Sequence, residues 1–267
     1  MDYPLLIRRG FVIGDFKSKN EEIMFKKDIE RLNSEVKRAL IGEEANHVLL
    51  AKKILDIHRK FSSLLGNFDV EPDYYLKLGK ELASHDNTPE SKYILAQIYL
   101  EEGDIEGAEN AMAEIWKLER KYALFYGEVL VQAGKWGRAM EIYHSILEEN
   151  KDDLEVWKLL ADALYHSGNY EDAERAYLRV LQGNRDDAEA WYRRGLCLKK
   201  MDKWGGALQS FQTAVRKDPM LKDAYEEMLS ILLEREMYSR AMETLKKMKE
   251  VGFDVDERIE ELRGRMS

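Results

Sequence analysis

The 267-residue chain holds a single cysteine, Cys197, so no internal disulfide can staple it, which fits a reducing compartment. It has only four prolines and no Ser- or Gly-rich tract, which excludes long structureless linkers. No apolar run approaches the roughly 18 residues that a membrane-spanning helix needs. Near the start, Leu5-Leu6-Ile7 is too short for a signal peptide, and Arg8-Arg9 lies on its wrong side. These features predict a cytoplasmic protein with no membrane partner. Catalytic signatures are missing too. The Gly205-Gly206 pair falls at a helix start and makes no phosphate loop. Around the histidines (His47, His58, His85, His144, His166) no Cys or carboxylate completes a convincing metal set, so they read as surface residues. Cys197 lies in a helical pattern without a histidine motif and reads as a small core residue. The expectation is no enzyme, no cofactor and no metal.

The net charge of −9 is unevenly spread: residues 1–88 carry 15 side chains of each sign, so the whole deficit lies in 89–267. An acidic segment is a poor general binder of polyanions, which argues against nucleic acid as the partner.

What the chain does have is a period. Ala108, Ala139, Ala173, Ala207 and Ala241 follow one another at steps of 31, 34, 34 and 34 residues. Three residues before each stands a large side chain (Ile105, Trp136, Tyr170, Trp204, Tyr238), and four after each another (Met112, Tyr143, Tyr177, Phe211, Leu245). A period near 34 marks a helix-turn-helix array, in which each unit contacts only its neighbours. Residues 188–221 show the unit most fully. Trp191-x2-Arg194-Gly195-x2-Leu198 forms one helix, Lys200 to Lys203 the turn, and Ala207-x3-Phe211 a second helix that Pro219 ends. The small residues Ala96, Gly127, Ala161 and Gly195 let the two helices approach closely. Gly103, Gly134 and Gly168 suit the left-handed turn that ends a helix.

This pattern resembles the tetratricopeptide repeat. The resemblance covers five repeats, 89–119, 120–153, 154–187, 188–221 and 222–255, followed by a capping helix from Asp256 to Met266. It implies an all-α fold: a right-handed superhelical solenoid of antiparallel helix pairs. Two repeats depart from the pattern. The first is three residues short and has Lys92 where a large apolar residue is usual. The fifth has Leu229 at the close-approach position, which predicts looser pairing.

Residues 1–88 form a separate N-terminal helical segment. Ile29, Leu32, Val36 and Leu40 trace one amphipathic helix, and a second runs from about Glu43 to Leu65. Tyr74-Tyr75-x2-Leu78-Gly79-x2-Leu82 resembles a first repeat helix without a clear partner. Phe11-Val12-Ile13 reads as an extended arm. The segment is either degenerate repeats or a hairpin that makes a homodimer. Apolar residues on both faces of 43–65 (Val48, Leu49, Leu50, Ile54, Leu55, Ile57) favour the second, since such a helix must be buried somewhere.

The resemblance implies that first helices line an inner groove where a partner peptide or helix binds. The matching positions are Tyr93, Gln97 and Leu100; Leu124, Glu128 and Val131; Lys158, Asp162, Tyr165 and His166; Tyr192, Leu196, Lys199 and Lys200; and Glu226 and Leu233. Lys158, Lys199 and Lys200 beside Tyr165 and Tyr192 would make a basic patch for an acidic or C-terminal segment. The carboxylate clamp of chaperone-adaptor relatives is not matched in either register tried. The expected role is a protein-interaction scaffold; the alternative is an oligomerisation module that uses the N-terminal helices.

Overall fold

A computed structural model describes residues 46–62, 73–84 and 86–266, with positions 27, 31, 34–36 and 38 before them. The proposed arm at 11–13 and most of the helix at 29–40 lie outside the described residues. The described residues contain no strand; the fold is all-α. The helices are α1 (His47–Ser62), α2 (Asp73–Ser84), α3 (Pro89–Glu101), α4 (Ile105–Met112), α5 (Arg120–Gln132), α6 (Trp136–Glu149), α7 (Leu154–His166), α8 (Tyr170–Gly183), α9 (Ala188–Lys200), α10 (Trp204–Lys217), α11 (Lys222–Glu234), α12 (Tyr238–Glu250) and α13 (Asp256–Met266). From α5 onward the helix starts follow the 34-residue period, after a first repeat of 31 residues. None is long and apolar enough to cross a membrane.

The turn between the helices of a pair is built the same way each time. Gly134, Gly168, Asp202 and Glu236, 34 residues apart, all take positive φ, as does Gly103 in the shorter first repeat. One residue later a backbone N–H reaches back to close the first helix: Asn169 to Leu164, Lys203 to Leu198 and Met237 to Leu232, at 2.8–2.9 Å. The left-handed turn is thus kept where the sequence gives up glycine. Two first helices, α7 and α9, start on aspartate caps: Asp153 accepts from Val156 N at 3.2 Å and Asp187 from Ala190 N at 2.9 Å. Trp157 and Trp191 each donate their indole N–H to the carbonyl six residues earlier, at 2.9 and 3.0 Å. That bond fixes the loop entering the helix.

The chain divides into two compact units, 1–133 and 134–267. The division falls in the turn after α5, whereas the repeat pattern starts at residue 89. In the first unit α2 packs against both α1 and α3, so the helix that lacked a partner in the sequence has α1. Gly79 marks the close approach: a Cβ there would stand 3.2 Å from Ile98 Cδ1 and 3.4 Å from Ile54 Cγ2. Leu50, Ala51, Ile54 and Leu55 of α1 are buried, Val48 is half-buried, and Leu49 is 48% exposed. Three of the six apolar residues that suggested dimerisation, Leu50, Ile54 and Leu55, are therefore used inside the unit. In the departing first repeat, Lys92 forms an ion pair with Glu114.

The second unit stacks α7/α8, α9/α10 and α11/α12 in turn. Ala173, Ala207 and Ala241 are wholly buried, with Tyr177 and Phe211 filling the wedges between helices. α11 and α12 pack less closely than the two pairs before them, as Leu229 predicts. Ile259 and Leu262 of α13 close the end of this core while its charges face outward.

Candidate functional site

The candidate wall residues fall into two groups, one in each unit. In the first unit, Tyr93 is half-buried and meets Tyr122 and Phe125 edge-on, with ring centroids 5.4 and 5.0 Å apart. Lys121 lies over the Tyr122 ring at 4.5 Å and pairs with Glu90 at 2.9 Å, and Tyr122 donates to the same carboxylate at 2.9 Å. Burial and the Glu90 and Glu128 carboxylates push the Tyr93 hydroxyl above its ordinary pKa. Gln97 accepts from Arg59 Nη1 at 3.1 Å, and Arg59 Nε donates to Glu101 at 2.6 Å. Leu124 is half-buried and Glu128 exposed. This wall is an aromatic cluster edged by charge.

In the second unit Tyr165 and Tyr192 sit half-buried on successive first helices. Tyr165 packs edge-on against His166 and Tyr170, and Tyr192 leans on Phe211 at 5.8 Å. Burial raises both hydroxyl pKa values; Cys197, Tyr170 and Glu227 add to it at Tyr165, and Glu227 and Asp223 at Tyr192. Arg193 joins them. Its Nε donates to Glu189 at 2.6 Å, and it is electrostatically coupled to Asp162, Tyr165, Tyr177 and Tyr192. Burial works against the Arg193 charge; the Glu189 hydrogen bond and the Asp162 carboxylate more than offset it, so its pKa lies above the usual guanidinium value. Asp162 in turn accepts the hydroxyl of buried Tyr177.

The basic patch is thinner than the sequence suggests. Lys158 is paired with Asp187, and Lys199 binds Glu227 at 2.6 Å and Ser230 at 3.2 Å. Of the trio only Lys200 is exposed and without an ion pair among the described residues. Glu226, another wall position, is held by both terminal nitrogens of Arg258 on α13, at 2.8 and 2.9 Å. These links join one first helix to the next across 28–32 residues, so much of the wall charge is spent within the fold. The sequence template placed Arg193 only in a clamp that is not matched, and it did not single out Glu227. Arg193 follows Tyr192 and Glu227 follows Glu226; a repeat template that selects single positions passes over such neighbours.

Known proteins fit this architecture. Two family models, both described as tetratricopeptide repeat, match residues 130–194 and 188–220. Residues 130–220 are thus similar to tetratricopeptide repeats. Over 101 residues it is 28% identical to tetratricopeptide repeat protein 21B of Xenopus laevis, covering 37% of this chain but only 7% of that relative's length. Among solved structures, MamA (residues 41 to the end) from Desulfovibrio magneticus RS-1 superposes with a TM-score of 0.55 at 18% identity, covering 62% of this chain and 95% of that one. YrrB, a tetratricopeptide protein with an unusual peptide-binding site, gives a TM-score of 0.53 at 17% identity, covering 76% and 96%. At these identities the likeness is one of fold. The matched family segments include α7 and α9, which carry Tyr165 and Tyr192.

Proposed function

We propose that this protein is a non-catalytic, cytoplasmic interaction scaffold whose first helices receive a segment of a partner protein. The observation that carries this reading is the set of half-buried aromatic rings (Tyr93 and Phe125 in one unit, Tyr165 and Tyr192 in the other) on helices whose opposite faces are committed to the core. Such rings bury apolar area while losing little side-chain entropy, and the tyrosine hydroxyls can bond a peptide backbone. The peptide-binding site of YrrB adds support by analogy of fold. With Lys158 and Lys199 already paired, the partner is read by rings and by Arg193 more than by a lysine clamp. The alternative, pairing of two copies through α1, has Leu49 as its main remaining apolar support.

The test is selection of peptides from a random displayed library on the full chain. Binding should weaken at least tenfold in the Tyr165→Ala/Tyr192→Ala variant and be unchanged in Lys246→Ala, whose side chain lies on a second helix. Circular dichroism checks that both variants are folded. Equal retention by all three proteins would remove the tyrosine wall as the site.

A further inference from the structure

The second helices of the 134–267 unit carry charge that no wall argument uses. Ion pairs from Arg179 to Asp152 and from Lys217 to Asp186 tie the C-terminal ends of successive second helices, so α6, α8 and α10 follow one another in order, with α12 in the next pair. Along that order the sign of charge changes. α6 and α8 hold six acidic and three basic side chains; α10 and α12 hold six basic and two acidic. Glu141, Glu148, Glu149 and Glu171 are exposed and without an ion pair among the described residues, and so are Arg216 and Lys246 at the other end; exposed Arg240 lies near Glu243. α10 has no acidic residue at all. Met220, in the turn after α10, is the most exposed large apolar side chain among the described residues, at 63%.

We propose that this face binds a second copy of the same chain, acidic half against basic half. A two-fold axis parallel to the helices would lay α6 over the partner copy's α12 and α8 over its α10, and the same contact would form twice, as an isologous interface requires. A surface that carries both signs in separate blocks is its own complement. The contact is electrostatic and rim-like, so it is weak and salt-dependent. It is separate from the inner wall, and a dimer would present two walls to a partner.

The experiment is sedimentation equilibrium on the full chain at about 10 mM and about 300 mM salt, where the screening length falls from about 30 Å to under 8 Å. The weight-average mass should exceed the 31.2 kDa of one chain at low salt and return to it at high salt. Two charge-reversed variants decide the site: E141K/E148K/E149K and R216E/R240E/K246E. Each alone should raise the low-salt dissociation constant at least tenfold. Mixing the two should restore association, as should all six substitutions in one chain. Circular dichroism checks that the variants are folded. A monomer at low salt, association insensitive to salt, or association unchanged by both reversals would each overturn the proposal.

Discussion

Gly195→Ala should destabilise the protein even though alanine is the better helix former. A Cβ at Gly195 would stand 2.5 Å from Phe211 Cε1, 2.6 Å from its Cδ1 and 3.0 Å from its Cζ. Phe211 is wholly buried, so its rigid ring has nowhere to swing. Helix propensity favours alanine by up to about 1 kcal/mol, whereas forcing a methyl into a filled core costs about 1–3 kcal/mol. Two other glycines isolate the clash. Gly137 of α6 has nothing within 4 Å of its would-be Cβ, so Gly137→Ala should be neutral or stabilising. Gly183 meets Leu154 Cδ1 at 2.6 Å, nearly as close, but Leu154 is a flexible, half-buried side chain that can turn aside. Gly183→Ala should therefore cost little. The assay is thermal unfolding followed by circular dichroism, where 1 kcal/mol shifts the midpoint by about 2–4 °C for a chain of this size. Gly195→Ala should melt lowest of the three. Gly195→Ala/Phe211→Leu should lose at least about 0.5 kcal/mol less than the sum of its parts, since the two sites are in contact. If Gly195→Ala melts as high as Gly137→Ala, the close approach of α9 and α10 is misplaced.

Other positions give further expectations. Ala173→Leu should overpack α8 and cost about 1–3 kcal/mol in denaturant unfolding; unchanged stability would contradict the repeat register, which leaves Ala173 no exposed area. Asp187→Ala should cost about 1 kcal/mol through the lost cap on Ala190 N, whereas Asp187→Asn, which still caps, should cost less; equal losses would show that the Lys158 pair matters more than the cap. Cys197 is wholly buried, and burial first, then Glu174 and Asp162, push its thiol up to about 12. It should resist thiol reagents at pH 8 until the chain unfolds. An unfolded thiol titrates near pH 8.5, so the stability tied to the neutral buried form is intact below that and drains away as the pH rises toward 12. Cys197→Ala should flatten the fall in melting temperature between pH 9 and 11, and an unaltered slope would count against the burial.

The repeat was legible because its causes are local. A small residue where two helices touch, a large one where they diverge, and a left-handed residue between them recur at fixed spacing, and the turns at Gly134, Gly168, Asp202 and Glu236 keep that register. α2 shows the limit of such signals. Gly79 marks a close approach, and the sequence assigned it to a first repeat helix without a partner; in the fold it serves Ile54 of α1 and Ile98 of α3 together. A small residue says that something comes near and leaves open which helix it is.

The candidate wall was a set of positions read from the sequence, and the pairing of their charges was not legible there. Lys158 and Asp187 are 29 residues apart, and Lys199 and Glu227 are 28 apart; which carboxylate a lysine reaches depends on the stacking of one repeat on the next. A template read within one repeat counts each lysine as free. The physical consequence is specific to this chain: its repeats are joined by Lys158–Asp187, Lys199–Glu227 and Glu226–Arg258, so the proposed wall would offer a partner Tyr165, Tyr192, Lys200 and the unshared nitrogens of Arg193. A partner that bound through the paired lysines would first have to break links that hold the stack together. One that stacks on the tyrosines leaves those links intact, which is why the rings, and not the lysines, are where binding should fail when they are removed.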